Sequence, residues 1–93
     1  MNISSVLVAC GAIHAAVAVG AGAFAAHGLR ARLDARALEV FETGARYHMM
    51  HALGVVMIGL LAARTPSAAG AGWLMQAGIV LFSGSLYALA LTG

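Results

Sequence analysis

GLRARLDARALEVFETGAR, residues 28–46, holds all but one of the eight charged side chains in the chain, and Arg64 is the exception. The sequence on either side of this belt is almost wholly apolar. The belt is therefore where the chain meets water, and its flanks need another solvent. With 62% apolar residues, 9% charged residues and a mean hydropathy of +0.95, the composition is far from the soluble average of about half apolar and about a quarter charged. A chain of 93 residues has a large surface for its volume and needs polar side chains to cover a soluble core. They are missing, which makes this a single integral membrane domain.

Upstream of the belt, Ile3 to Ala26 carries no charge. As a helix it is about 36 Å long, against about 30 Å for a bilayer core. A cleaved signal peptide ending near Ala23-Phe24-Ala25 is the rival reading. It requires a basic leader and an apolar run of only about 7–15 residues, and neither is present. Residues 3–27 are therefore expected to be the first transmembrane helix, ended by His27 in its last turn and Gly28 in the left-handed C′ position. Ala12, Ala16 and Gly20 follow one another at intervals of four, as do Ala18, Gly22 and Ala26. Such small-residue rows let helix backbones approach closely in lipid, and two rows on different faces predict contact with more than one helix.

Within the belt, Asp34 is the expected N-cap of a second helix. Leu33, Ala37, Phe41, Gly44 and His48 share one side of it, and Arg32, Arg36, Glu39, Thr43 and Arg46 the other. That pattern predicts an amphipathic helix at about residues 34–46, lying in the membrane interface. Glu42 precedes Arg46 by four residues, the favoured order for a helical ion pair worth about 0.2–0.5 kcal/mol. Residues 47–63 read as a short second span continuing from this helix, with a bend near Gly44. Arg64-Thr65-Pro66-Ser67 breaks the chain, and residues 69–91 form the third span, with Trp73 as an interfacial anchor and a further small row at Gly84, Ala88 and Thr92. The fold class expected is thus all-α: a membrane bundle of three spans and one interfacial helix.

Arginine counting sets the orientation. The first loop carries four arginines and the second carries one, so the 28–46 belt is expected to be cytoplasmic and the N-terminus outside. The net charge of +2 and pI near 9.3 form no basic stripe, so nucleic acid is not an expected partner. The expected partners are the lipid bilayer and either further copies of the chain or other membrane proteins. The single cysteine, Cys10, excludes an intramolecular disulfide and reads as a small apolar filler.

Gly22-Ala-Phe-Ala-Ala-His-Gly-Leu29, Phe41-Glu-Thr-Gly-Ala-Arg-Tyr47, His51-Ala52, Gly78-Ile-Val-Leu-Phe-Ser-Gly-Ser-Leu-Tyr87 and Leu91-Thr-Gly93 together resemble domain-of-unknown-function family 423, the YgdD-like small membrane proteins. The resemblance runs from about Gly20 to Gly93. It implies a small helical protein of the bacterial inner membrane with no established biochemical activity. It also implies a fourth transmembrane helix after the LTG motif, absent from this chain, which would carry a full-length C-terminus to the outside. His48 stands where the resemblance implies glutamine, and Ala35 where proline often follows the cap.

Four histidines are the residues most able to carry chemistry. His48 and His51, three apart, share a helix face with His27 within possible reach, which raises a metal or haem site at the cytoplasmic interface. Interfacial histidines bonded to backbone or headgroups are the plainer reading, and no resident cofactor is expected. His14 lies mid-span, where ionisable groups are rare and usually face the bundle interior. Its available partners are Gln76, Ser83, Ser85 and Tyr87 on the third span. Ser83-Gly84-Ser85 lacks the strand–turn–helix setting and paired base of a nucleophile elbow. No phosphate loop, carboxylate pair or CxxC is present, so no enzyme activity is expected. Candidate functional side chains are therefore His14, His27, Glu42, Arg46, Tyr47, His48, His51, Ser83, Ser85 and Tyr87. The leading functional expectation is a structural or accessory component of an oligomer or larger membrane complex. The alternatives are conduction of a small solute or proton, and the histidine metal site.

Overall fold

The computed structural model describes residues 2–92. Asn2 caps the first helix, α1 (Ile3–His27), its side chain accepting from the Ser5 amide at 2.9 Å. A 3₁₀ turn over Leu29–Ala31 leads to Asp34, whose carboxylate accepts from the Ala37 amide at 2.8 Å and caps α2 (Ala35–Ala62). Pro66 begins a second 3₁₀ turn, Pro66–Ala68, where its missing amide costs nothing. A third rod follows as α3 (Ala69–Gly78), a π turn (Ile79–Ser83) and α4 (Gly84–Thr92). The three rods, Ile3–Ala31, Ala35–Ala62 and Pro66–Thr92, are each long and apolar enough to cross a membrane.

Two local expectations differ from the structure. Gly28 is right-handed, at φ −81° and ψ −46°, and the chain winds straight on into the 3₁₀ turn. Glycine is needed there for space, since a Cβ would lie 2.7 Å from the Phe24 ring. There is also no separate amphipathic element. Residues 35–46 are the first turns of the 28-residue α2, which runs without interruption through Gly44. The face assignment itself survives: Phe41, Gly44 and His48 are buried, while Arg36, Glu39 and Arg46 are exposed. Among the described residues no arginine–carboxylate ion pair forms, so Glu42 and Arg46 stay apart, both exposed.

The core is a seam between α1 and α2. On α2, Phe41, Ala45, His48, Ala52, Val55, Gly59 and Ala62 are buried, alternating steps of four and three. On α1, Leu7, Gly11, Ala18 and Ala25 are buried, and His14 fills the gap in the same rhythm. A repeat averaging 3.5 residues keeps one narrow stripe of each helix facing its partner. The contact is close because both stripes carry glycine at the crossing. A Cβ on Gly11 would lie 2.8 Å from the Val56 amide nitrogen and 2.9 Å from the Ala52 carbonyl oxygen. One on Gly59 would lie 2.9 Å from the Val8 nitrogen. These are backbone atoms of the opposite helix, which no rotamer change can move. Ser4 adds a hydrogen bond across the same end, donating to the Gly59 carbonyl at 2.6 Å.

The row Ala12–Ala16–Gly20, expected to meet a neighbouring helix, is exposed throughout, as is Gly84–Ala88–Thr92. Within the chain, close packing falls instead to the residues in the 3.5 rhythm. The third rod lies against α2, with Met75 over Gly54, Gly72 against Leu7 and Ile58, and Tyr87 over Gly44. The apolar core has two separate parts: Leu7, Val55, Ala62 and Ile79 at one end, and Ala25, Leu29, Phe41 and Ala90 at the belt end.

Replacing Gly11 or Gly59 by alanine is expected to separate α1 from α2 and lower unfolding stability in detergent by about 1–3 kcal/mol, as overpacking does. Gly20→Ala, where an added Cβ meets nothing within 4 Å, is expected to be neutral or to stabilise by up to about 1 kcal/mol from helix propensity. Equal losses at all three positions would contradict the seam.

Candidate functional site

Between the two apolar clusters lies a layer of polar side chains drawn from all three rods. α1 supplies His14 at the step of the seam where the chain would otherwise place a small apolar residue. α2 supplies His48, buried at 4% exposure, from the facing step. His14 Nδ1 and His48 Nε2 stand 3.0 Å apart, with their rings edge to face and centroids 5.2 Å apart. His48 Nδ1 lies 3.0 Å from the Tyr87 hydroxyl. Three titratable side chains thus form one unbroken line of hydrogen bonds across the bundle.

The third rod reaches this layer through its π turn. The Gly84 amide reaches back five residues to the Ile79 carbonyl, which widens the helix at that point. Such turns are uncommon and occur frequently at functional sites. Ser83, at the end of the turn, is 2% exposed and donates to the Gly44 carbonyl at 2.9 Å. Gly44 has a steric role as well: a Cβ there would sit 3.0 Å from Cε1 of Tyr87 and 3.2 Å from Cβ of Leu86. With hydrogen at that position, the Tyr87 ring lies flat enough on α2 to reach His48 and to pack on Phe41, centroid to centroid 4.8 Å. The layer borders a cavity of about 320 Å³ between α1 and the third rod. Ile13, Val17, Ile79 and Val80 form its apolar walls, and His14, His48, Ser83 and Tyr87 its polar part.

Of the side chains singled out from sequence, His14, His48, Ser83 and Tyr87 are brought together, and the others are not. His14 finds its partner on α2 and not on the third span, where it had been expected. Ser85 is exposed and donates back to the Leu81 carbonyl one turn away. Gln76 is half-buried, lies outside the cavity lining, and has a buried Nε2 without a partner. His27 is exposed at the end of α1. His51 Nδ1 donates to the Tyr47 carbonyl at 2.8 Å. Tyr47 is exposed and packs edge to face on Phe82 at 5.4 Å. His27, His48 and His51 therefore do not converge, because the seam turns His48 inward, away from His51. Among the described residues no group of three or more His, Cys, Asp or Glu is arranged to hold a metal ion. The His14–His48 pairing was legible in principle: both residues fit the 3.5 rhythm of an antiparallel hairpin.

The surface completes the description of the class. Leu74 is 75% exposed, Leu81 70% and Met57 69%, and these large apolar side chains encircle rods that carry almost no charge outside the belt. Such a surface is one for lipid, and the fold defines a small polytopic helical membrane protein. The family model described as protein of unknown function (DUF423) matches residues 21–93, and the chain belongs to that family. It is similar to the UPF0382 membrane protein YwdK of Bacillus subtilis, 52% identical over 90 residues, which are 94% of this chain and 73% of the relative. A UPF0382 membrane protein of Staphylococcus saprophyticus is 49% identical over 94% of this chain and 73% of its own length. One of Haemophilus influenzae is 49% identical over 77% of this chain and 59% of its own. No solved structure matches the chain.

His48→Ala removes two hydrogen bonds and strands His14 Nδ1 and the Tyr87 hydroxyl, so a loss of about 2–3 kcal/mol is expected, in line with the cost of unpaired buried groups. Ser83→Ala removes one bond to a carbonyl already satisfied within its helix. The expected loss is about 0.6 kcal/mol, the average for interhelical hydrogen bonds in membranes. Denaturation in mixed micelles measures both, and the reverse order would show that the histidine line does not hold the rods together.

Proposed function

We propose that this protein is a non-enzymatic accessory component of the bacterial inner membrane, working as part of an oligomer or of a larger complex with other membrane proteins. The supporting observation is a set of outward glycines. An added Cβ at Gly20, Gly70, Gly78 or Gly84 meets nothing within 4 Å. Each such glycine gives up about 1 kcal/mol of helix propensity relative to alanine, and nothing inside the chain uses the space. Gly20 continues the exposed Ala12–Ala16 row, and Gly84 begins the exposed row through Ala88. In lipid, where association depends on contact and not on expelling water, such rows are the surfaces on which a second helix can settle closely.

In this reading the 28–46 belt faces the cytoplasm, held there by Arg30, Arg32, Arg36 and Arg46. The first turns of α2 stand in the headgroup region, their charged face wet and their other face buried against α1 and Tyr87. The belt charges set orientation and hold no substrate.

Single-cysteine variants in a Cys10→Ser background test the assembly in native membranes. Ala16→Cys and Gly84→Cys are expected to cross-link into species larger than the monomer, and Met57→Cys, exposed on α2 outside either small-residue row, is not. A monomer at all three positions, under conditions where the introduced thiols react with a soluble probe after solubilisation, rules the proposal out.

A further inference from the structure

We propose that the cavity between α1 and the third rod binds a neutral, lipid-soluble carbonyl compound, of which a quinone is the type. The first support is a count of hydrogens along the polar line. Neutral histidine carries one N–H and tyrosine one O–H, so His14, His48 and Tyr87 bring three hydrogens to two links. When His14 Nδ1–H donates to His48 Nε2 and His48 Nδ1–H to the Tyr87 oxygen, the Tyr87 hydroxyl hydrogen is left over. When Tyr87 donates to His48 Nδ1 and His48 Nε2–H to His14 Nδ1, the hydrogen on His14 Nε2 is left over. One donor therefore always remains at an end of the line, and both ends, His14 and Tyr87, border the cavity. Ser83, the other hydroxyl in the lining, already gives its hydrogen to the Gly44 carbonyl. A donor left without an acceptor in a low-dielectric interior is costly, so the line calls for an acceptor oxygen in the cavity.

The position and walls of the cavity define what carries that oxygen. His14 stands about 17 Å from one end of α1 and about 20 Å from the other, at about 1.5 Å per residue. The site thus lies near the middle of the span. Ile13, Val17 and Val80, which border it, are each more than half exposed, so its mouth opens on hydrocarbon. Water is scarce at that depth, and phospholipid headgroups are tethered at the interface. Among the described residues no carboxylate or guanidinium borders the cavity, and a charge near the bilayer centre is costly. The occupant is therefore uncharged and enters sideways from the bilayer. Its head accepts a hydrogen without bringing one of its own, which describes a ketone or quinone carbonyl.

The size agrees. A volume of about 320 Å³ stands at the lower end of the range for small-molecule pockets, about 300–1,000 Å³. It holds a ring-sized head, with an apolar tail leaving past Ile13, Val17 and Val80. The π turn of the third rod supplies Ile79, Val80 and Ser83 to this lining. The site is built within one chain and does not rest on assembly.

Photolabelling of the full chain in phosphatidylcholine nanodiscs tests the site, with a decyl-tailed azidobenzoquinone as the probe. Labelling is expected to saturate and to map by mass spectrometry to residues 13–17 and 79–87, the stretches that line the cavity. Excess decylbenzoquinone is expected to displace the probe, whereas decylbenzene, with ring and tail but no carbonyl, is not. Val17→Trp fills the mouth from an exposed position outside the seam, and it is expected to weaken binding about tenfold or more. Met57→Trp, exposed on α2 away from the cavity, is expected to label as the wild type does. In infrared difference spectra the carbonyl stretch of bound quinone is expected to fall below that of quinone free in the bilayer, as a hydrogen bond from the line requires. Labelling that does not saturate, equal displacement by decylbenzene, full binding in Val17→Trp or an unshifted carbonyl stretch would each overturn the proposal. So would label confined to the monomer when Ala16→Cys chains in the Cys10→Ser background are cross-linked, since a second copy would then fill the cavity.

Discussion

The backbone approach of α1 to α2 at Gly11 and Gly59 is the constraint on which the other contacts rest. Hydrocarbon is as apolar as the side chains it solvates, so burying leucine between two helices gains little in a membrane. What remains is contact, which falls away over fractions of an ångström. Hydrogen stands at Gly11 and Gly59 where a Cβ would lie under 3 Å from opposing backbone atoms, so the two helices approach more closely than any side chain there would allow. The same closeness lets a side chain as short as Ser4 reach the Gly59 carbonyl and lets two imidazoles, one from each helix, meet at 3.0 Å.

The polar layer gains from that geometry. In a low-dielectric interior a paired polar group is held strongly and an unpaired one is costly. His48 answers this by sharing both ring nitrogens, one with each neighbouring rod. Between the two apolar clusters, this layer joins α1, α2 and the third rod by directional bonds. The same line of donors and acceptors ties the three rods together.

Much of the architecture was legible in residues 28–46 and their flanks. Asp34 caps where its side chain and position predict, and the buried side of the first turns of α2 is the side carrying Phe41, Gly44 and His48. The misjudged features have a common cause. Gly28 and the partition of α2 were read from local patterns, and each is settled by what lies beside it. Phe24 claims the space at Gly28. The Ala12 row faces outward because the 3.5 rhythm through Gly11 and His14 takes the inner face. Residues 35–46 continue straight into the span because nothing at Gly44 breaks the helical hydrogen bonding. His48 was grouped with His51 by its spacing of three, whereas its step in the seam sends it toward His14.

The sequence by itself determined that this chain lives in a membrane, that it is helical, and that its charge sits in one belt, because composition and apolar run length act before any fold exists. It also carried enough separated motifs to define its family. Only the tertiary structure decided which small residues are contacts and which are open surface, and which histidines meet. Those choices depend on the relative rotation and register of helices far apart in the chain. A rotation of one residue, about 100° on a helix, would turn His14 from the seam toward lipid.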